Sequence, residues 1–385
     1  MCIRDRKVLD FSGADRASRM HRILESDLVL VTYGTLRRDA AALADVAFDY
    51  VILDESQTIK NANTVAARSA RLLKGAHRLA LSGTPVENRV SDLWSLFEFL
   101  NPGLLSGATA FGRAFSGNTD GDELRLLGRG LRPFILRRTK AQVASELPSK
   151  TEQTIVCELE RRQRTLYNEL RDHYRRTLLG KADSWPRAKL QVLEALLRLR
   201  QAACHPALVD PTRADDPSAK LDLLVPRLVE TVEDGHKALV FSQFTSFLAL
   251  LRTQLDARGI PYQYLDGRTK DRAARIDRFQ NDDGCRLFLI SLKAGGVGLN
   301  LTAADYVFIL DPWWNPAAEA QAVDRAHRIG QTRNVFAYRL IARDTVEERV
   351  LELQQRKREL AEAIITADNS VIRSLQREDL ELLLS

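Results

Sequence analysis

The sequence predicts an α/β protein of two lobes, in which parallel strands alternate with helices. Three observations carry this. The apolar runs are short and continuous: Val51-Ile52-Leu53, RLFLIS (286–291), YVFIL (306–310) and VFAYRLIA (335–342). Runs of this kind, rather than alternating polar and apolar residues, mark strands covered on both faces. They are interleaved with segments of helical period, the pattern of βαβ units. DPTRADDPSAK (210–220), rich in proline and aspartate, reads as a boundary between two halves. At 385 residues the chain has room for two or three domains.

Composition narrows the class. Hydrophobic residues make up 45%, enough for sizeable cores. The net charge of +6 and pI near 9.2 give a mild basic bias, compatible with nucleic acid but common among soluble proteins. The four cysteines, at 2, 157, 204 and 285, have no paired spacing. That argues for a reducing compartment and against a zinc site or a disulfide framework. Cys204-His205 has no partners in sequence for a metal. No apolar run approaches a membrane span and the start lacks a secretory segment, so a soluble intracellular protein is the simplest expectation.

In chain order, MCIRDRK has no periodic pattern and reads as an uninformative leader. SDLVLVTYGTLRRD (26–39) predicts a short buried strand ending at Thr32-Tyr33, then a helix start. DYVILDESQTIKN (49–61) predicts a strand with Asp54 and Glu55 at its carboxyl end, where open α/β sheets place ligands. An acidic pair there can simply cap a loop or helix start. It can also hold Mg²⁺ through water at Asp54, and orient and deprotonate an attacking water at Glu55. HRLALSGTP (77–85) gives another strand and then Ser82-Gly83-Thr84-Pro85, residues that also make an ordinary turn. DLWSLFEFL (92–100) is an amphipathic core helix, and FILRRTKAQVASELPSK (134–150) returns to a strand and leads into a linker. Its Arg137, Arg138 and Lys140 could touch DNA or phosphate, or be plain surface charge. Residues 158–206 are helical and charged, with Leu193, Leu196, Leu197 and Leu199 as a packing stripe.

The second half opens with the strand-plus-loop units KALVFSQF (237–244) and YQYLDGRT (262–269). After RLFLIS comes a loop containing Gly295, Gly296 and Gly298; after YVFIL comes DPWWNP (311–316), then a predicted helix with Gln321, Arg325 and Arg328. Their i, i+4, i+7 spacing puts the three on one helix face, beside an inward stripe of Ala322, Ala326 and Ile329. Two arginines a turn apart suit a polyphosphate, because guanidinium is permanently charged and forks onto phosphate. The bland alternative is a solvated helix face. TVEERVLELQQRKRELAEAIITA (345–367) predicts a long C-terminal helix.

Together, ILDESQTIKN, SGTP, SQF, LDGRT, the glycine loop with DPWW, and QAVDRAHRIGQ (321–331) resemble the motifs of the Swi/Snf-type ATPases. These are DEAD/DEAH-like, superfamily-two translocases that move on double-stranded DNA. The resemblance spans nearly the whole chain. It implies two RecA-like lobes, the first incomplete, with helical insertions and a C-terminal helix. Residues 1–140 would be the later part of lobe one, with a helical insertion at about 86–132; 141–218 a linker and helical insertion; 219–345 lobe two; and 346–385 a helical brace. It implies ATP and Mg²⁺ as cofactors, with ATP between the lobes. Asp54 would bind the metal and Glu55 would be the base. Arg325 and Arg328 would be the fingers that reach ATP, and Gly296, Gly298 and Gln321 would line the nucleotide. Gln57, Ser82 and Thr84 would couple hydrolysis to movement. Thr32, Trp313 and Asn315 are candidates for the DNA track, with one of Trp313 and Trp314 a packing residue. DESQ stands where the family usually has DEAH or DEGH, or DEAQ in many bacterial members. This leaves the metal and base assignments intact and puts a coupling role for the missing histidine in doubt.

A phosphate loop, G-x-x-x-x-G-K-[ST], does not occur; Gly180-Lys181 is followed by Ala182. The first strand and phosphate loop of lobe one are expected before residue 1, and the chain reads as a truncated form of the motor. The expected function is ATP-dependent translocation on or remodelling of duplex DNA, with other DNA-associated proteins as further partners. A non-catalytic DNA-binding or interaction module and a strand-separating helicase stay open. The expected location is the nucleoid of a bacterial cytoplasm, or the nucleus of a eukaryote.

Overall fold

A computed structural model of the chain describes residues 6–83, 90–105, 107, 129–136, 138, 140–179, 185–292, 294, 298–314 and 316–352. These form two compact units, divided between Ile135 and Leu136. Among the described residues no helix is long and apolar enough to cross a membrane.

In the first unit, β1 (Val8–Asp10) pairs in parallel with β2 (Leu28–Leu30), and β3 (Ala47–Leu53) pairs in parallel with β4 (Lys74–Ala80). Helices α1 (Tyr33–Ala44), α2 (Val65–Leu72) and α3 (Val90–Leu100) pack beside them. The first two start where threonine supplies a cap. Thr32 Oγ1 accepts the Thr35 N–H at 3.1 Å, and Thr64 Oγ1 accepts that of Ala67 at 3.2 Å. Leu9, Phe11, Leu36, Leu43, Val51, Leu53, Ile59 and Phe99 share one core cluster. Gly75 on β4 keeps the strands close, since a Cβ there would lie 2.8 Å from Val51 Cγ2. The run Val51-Ile52-Leu53 predicted cover on both faces. Val51 and Leu53 are buried, but Ile52 is 51% exposed and Tyr50 62%, so the described residues cover one face of β3.

The second unit holds a six-stranded, wholly parallel sheet. Its strands are β5 (Lys150–Cys157), β6 (Ala238–Ser242), β7 (Tyr262–Leu265), β8 (Leu287–Ser291), β9 (Tyr306–Ile309) and β10 (Val335–Ala342), in the order β5-β10-β9-β6-β8-β7. Its helices are α4 (Lys140–Val143), α5 (Arg161–Leu179), α6 (Trp185–Cys204), α7 (Ala219–Glu233), α8 (Thr245–Asp256), α9 (Arg272–Asn281) and α10 (Pro316–Val323), with α11 beginning at 346. Alternate residues of the central strands feed two cores. Val240, Leu289 and Phe308 meet Leu224 and Leu251 in one, and Leu239, Phe288 and Val307 meet Ala322 and Ala326 in the other. This two-sided burial is why β6 and β8 read as unbroken apolar runs.

Five of these strands stand where the apolar runs put them. The sixth, β5, lies ahead of the expected start of lobe two. Residues 141–218 were expected to be a linker with a helical insertion, and lobe two to start at 219. Instead β5 pairs along its length with β10, Lys150 opposite Val335 through Cys157 opposite Ala342, and α5 and α6 follow it within the same unit. An edge strand turned largely to solvent has a polar sequence, here KTEQTIVC, and so gives no apolar signal. The strand expected from 134 is absent from the described residues there, which form a helical turn at Arg132–Phe134 and then α4.

Candidate functional site

Parallel pairing puts the carboxyl ends of strands on one edge, and in the first unit that edge gathers the residues singled out from sequence. Leu53 is opposite Ala80, so the turn after β3 lies beside the segment after β4. Leu81 donates its N–H to Leu53 O at 2.8 Å and its carbonyl accepts the Ser56 N–H at 2.9 Å. Between these anchors the chain turns sharply, with Glu55 in the left-handed region (φ 49, ψ 50). A side chain there is strained by about 1–2 kcal/mol. The turn is held by Asp54 Oδ1, which accepts the Glu55 N–H at 2.9 Å, and by the Tyr33 hydroxyl, which donates to Asp54 O at 2.8 Å. Both carboxylates remain exposed.

Gln57, at the position of the missing histidine, bonds in two directions. Its Nε2 donates to Glu55 Oε2 at 2.6 Å, and its Oε1 accepts from Ser82 Oγ at 3.0 Å. A primary amide has a donor and an acceptor at one end, so it bridges the glutamate to the SGTP segment. The Tyr33 hydroxyl is held protonated: burial, then the nearby charges of Asp54 and Glu55, push its pKa up to about 12. Thr32 is the cap of α1. Thr84 lies outside the described residues, as do Gly296, Asn315 and Arg137.

The donor chemistry at Asp54 suits Mg²⁺. It is an exposed oxygen ligand, and such ions are held by one or two carboxylates completed by water and substrate phosphates. No group of three or more His, Cys, Asp or Glu that could hold a metal occurs among the described residues.

In the second unit, Gly298 has φ 48 and open space where a side chain would stand, so its backbone is approachable. The arginine segment departs from the helix expected there. Helix α10 ends at Val323, and Arg325 and Arg328 lie in the turns beyond it. Beyond Val323 the bonding tightens into turns, with the Arg325 N–H on Ala322 O at 3.3 Å, the Ala326 N–H on Val323 O at 3.0 Å and the Arg328 N–H on Ala326 O at 3.1 Å. Arg325 O accepts the Leu301 N–H at 3.0 Å, Ala326 O accepts from Gln331 Nε2 at 3.1 Å, and His327 O accepts from Lys140 Nζ at 2.7 Å. Gln321, Arg325 and Arg328 therefore do not share a helix face. Arg325 is buried, its Nη1 within 3.4 Å of Leu299 O next to Gly298, whereas Arg328 is exposed. Gln321, on the last turn of α10, is half-buried. Ala322 and Ala326 pack inward as expected, but Ile329 is 74% exposed.

Around the same strand ends lies a buried polar frame that sequence reasoning missed. Asp311, after β9, accepts hydrogen bonds from the Ser242 hydroxyl at the end of β6 and, at 2.5 Å, from Nε2 of Gln243, the next residue. Arg200, from α6, donates to Gln243 Oε1 at 3.2 Å and to Pro312 O, and lies over the Trp314 ring at 5.6 Å. Trp314 is thus the packing member of the tryptophan pair. The Trp313 N–H donates to the buried Glu319 at 2.5 Å, and Glu319 also pairs with Arg339 at 2.7 Å. Burial raises the pKa of Glu319 against the pull of Arg339. Lys220 and Glu347, both fully buried, pair at 2.7 Å, and Lys220 also donates to Leu310 O at 2.7 Å. Burial pulls the Lys220 pKa down, but the Cys204 sulfur and the Glu347 carboxylate more than offset it, and the net shift is upward. In sequence, SQF and DPWW marked Ser242, Gln243, Asp311 and the two tryptophans; Arg200, Lys220 and Glu347 carried no local signal.

Residues 7–208 match the SNF2-related domain family and residues 219–330 match the helicase conserved C-terminal domain. The chain is 37% identical over 376 residues to an uncharacterised ATP-dependent helicase of Mycoplasma pneumoniae, covering 97% of this chain and 36% of that protein. It is 38% identical over 373 residues to a putative ATP-dependent helicase/translocase of Bacillus subtilis, covering 92% and 40%. It therefore spans two-fifths or less of the length of these relatives. Among solved structures it resembles the SWI2/SNF2 ATPase core of Sulfolobus solfataricus in complex with double-stranded DNA, with 32% identity and a TM-score of 0.53, covering 98% of this chain and 81% of that one.

Proposed function

The chain belongs to the SNF2-related family of helicase-type ATPases, and from that premise we propose that it is part of the motor of an ATP-dependent translocase on double-stranded DNA. The observation that carries the reading is the Glu55–Gln57–Ser82 line: a carboxylate exposed at a strand end and joined through one amide to the next strand's loop. Glu55 takes the proton of the attacking water, and its short bond from Gln57 fixes which way the carboxylate faces. Asp54 holds Mg²⁺ through water, and the ion when bound neutralises charge on the phosphates. Arg325 and Arg328 stabilise charge developing on the transferred phosphoryl group, a contribution on the order of a thousandfold or more. Gly298, with Gly296 and Gln321, lines the nucleotide. Gln57 and Ser82, with Thr84, carry the state of the site to the segment after β4. Thr32, Trp313 and Asn315 meet the DNA, which is held mainly through its phosphates, so that binding weakens steeply with salt.

The test is steady-state ATP hydrolysis by this chain and by a form extended upstream through any phosphate loop, each with duplex DNA, with single-stranded DNA and with none. The expected outcome is hydrolysis by the extended form, stimulated by duplex and without strand separation. An extended form that binds duplex yet leaves ATP intact overturns the motor and leaves a binding module.

A further inference from the structure

The arginine turn is clasped from outside the motifs that define it. Lys140, in α4, makes two contacts with that turn: its Nζ lies 2.8 Å from Asp324 Oδ1 and donates to His327 O at 2.7 Å. Eight residues later, Pro148 O accepts from Nε2 of the buried His327 at 2.8 Å, which fixes the proton on that nitrogen. Ser149 O then accepts the Val335 N–H at 3.0 Å, and β5 enters the sheet beside β10. Residues 140–149 thus strap the segment that carries Arg325 and Arg328. From the other side Gln331 closes it: Nε2 donates to Thr302 O, Ala304 O and Ala326 O at 2.8–3.1 Å, while Oε1 accepts the N–H groups of Thr332 and Arg333 at 2.9 Å.

We propose that Lys140 is a positioning residue for the arginine turn, holding Arg325 and Arg328 where they act in ATP turnover. The proposal rests on the motor reading above. The turn hangs from the end of α10 by the N–H groups of Ala326 and His327 on Val323 O, but the Gln331 N–H, the helical partner of His327 O, goes to Arg328 O instead, and the His327 carbonyl is left to Lys140. Nothing in the regular helix pattern can replace the Lys140 contact, so its loss frees the His327 carbonyl and the Asp324 carboxylate together. The Lys140–Asp324 pair is also about 40% exposed on each side, so it contributes little to overall stability. Its geometry bears on where the turn stands, not on whether the unit folds.

The experiment compares Lys140→Ala, Lys140→Arg and Asp324→Asn with the parent in the upstream-extended protein. Without nucleotide, hydrogen exchange at the backbone amides of 325–331 in Lys140→Ala is expected to rise about two- to tenfold, the worth of one lost hydrogen bond, with an unchanged melting temperature. In turnover, kcat is expected to fall on the order of ten- to a hundredfold with KM for ATP nearly constant, as for a misplaced transition-state group. Lys140→Arg should recover most of the loss, and Asp324→Asn should show a smaller loss of the same kind. Unchanged exchange and kcat in an active parent overturn the proposal and leave the motor reading standing. A parent that does not hydrolyse ATP overturns both.

Discussion

The two units hold their polar strand ends by opposite means. In residues 6–135 the acidic turn is exposed, and Glu55 and Gln57 are joined by one short hydrogen bond at the surface. In residues 136–352 the corresponding strand ends are locked by groups with almost no exposure: Asp311, Arg200, Glu319, Lys220 and Glu347. The difference teaches which substitutions should act on chemistry and which on folding. An exposed carboxylate loses little of its hydration in the folded chain, so it can be exchanged at small cost. A fully buried charge is tolerable only with its partner in place.

The sharpest way to probe this contrast lies within the second unit, where the two arginines differ. Arg328→Ala should reduce ATP turnover by about a thousandfold or more and leave the melting temperature unchanged, because the side chain is exposed. Arg325→Ala should reduce turnover as far and also lower the melting temperature, because it removes a buried guanidinium against Leu299 O. Parallel ATPase and melting curves check both. Equal melting temperatures for the two variants would break the distinction between them.

Next in size is the buried pair. Lys220→Met should destabilise the second unit by about 3–5 kcal/mol, leaving Glu347 buried without its cation. Lys220→Met with Glu347→Leu should recover much of this, as read by denaturant unfolding. If the single variant costs no more than an exposed-site substitution, the frame is not what holds these strand ends.

The first unit should respond in the other way. Gln57→Ala removes a bond to a charged acceptor, and duplex stimulation of turnover is expected to drop roughly tenfold or more, with stability hardly changed. The smallest effect belongs to Tyr33. Its raised pKa means the folded state favours the protonated phenol. Its contribution is therefore fully present below the ordinary tyrosine value near 10 and is lost as pH rises through about 12. Tyr33→Phe should flatten the fall in stability between pH 10 and 12 relative to the parent, measured by denaturant midpoints.

Much of this was legible in the chain, for physical reasons. Strands buried on both faces must be continuously apolar, so β6, β8 and β9 announced themselves. Parallel pairing then brought DESQ beside SGTP with no further information. What sequence could not display was long-range pairing. Lys220 meets Glu347 across 127 residues and Arg200 reaches Pro312 across 112, and nothing local marks either. The edge strand β5 was missed because its residues face water. The helix predicted through Arg328 gives way to turns after Val323, where the carbonyls of Arg325 and His327 bond Leu301 and Lys140, partners far away in sequence.

Above all, the exposed Glu55 is expected to act on chemistry and not on the fold. The direct measurement is duplex-stimulated ATP hydrolysis by Glu55→Gln in the upstream-extended protein, beside its parent. Glutamine keeps the shape and the hydrogen bonding but cannot take a proton. The expected result is a fall of about 10²–10⁴-fold with DNA binding and melting temperature unchanged. Turnover equal to the parent's would contradict it and remove the acidic turn from the mechanism.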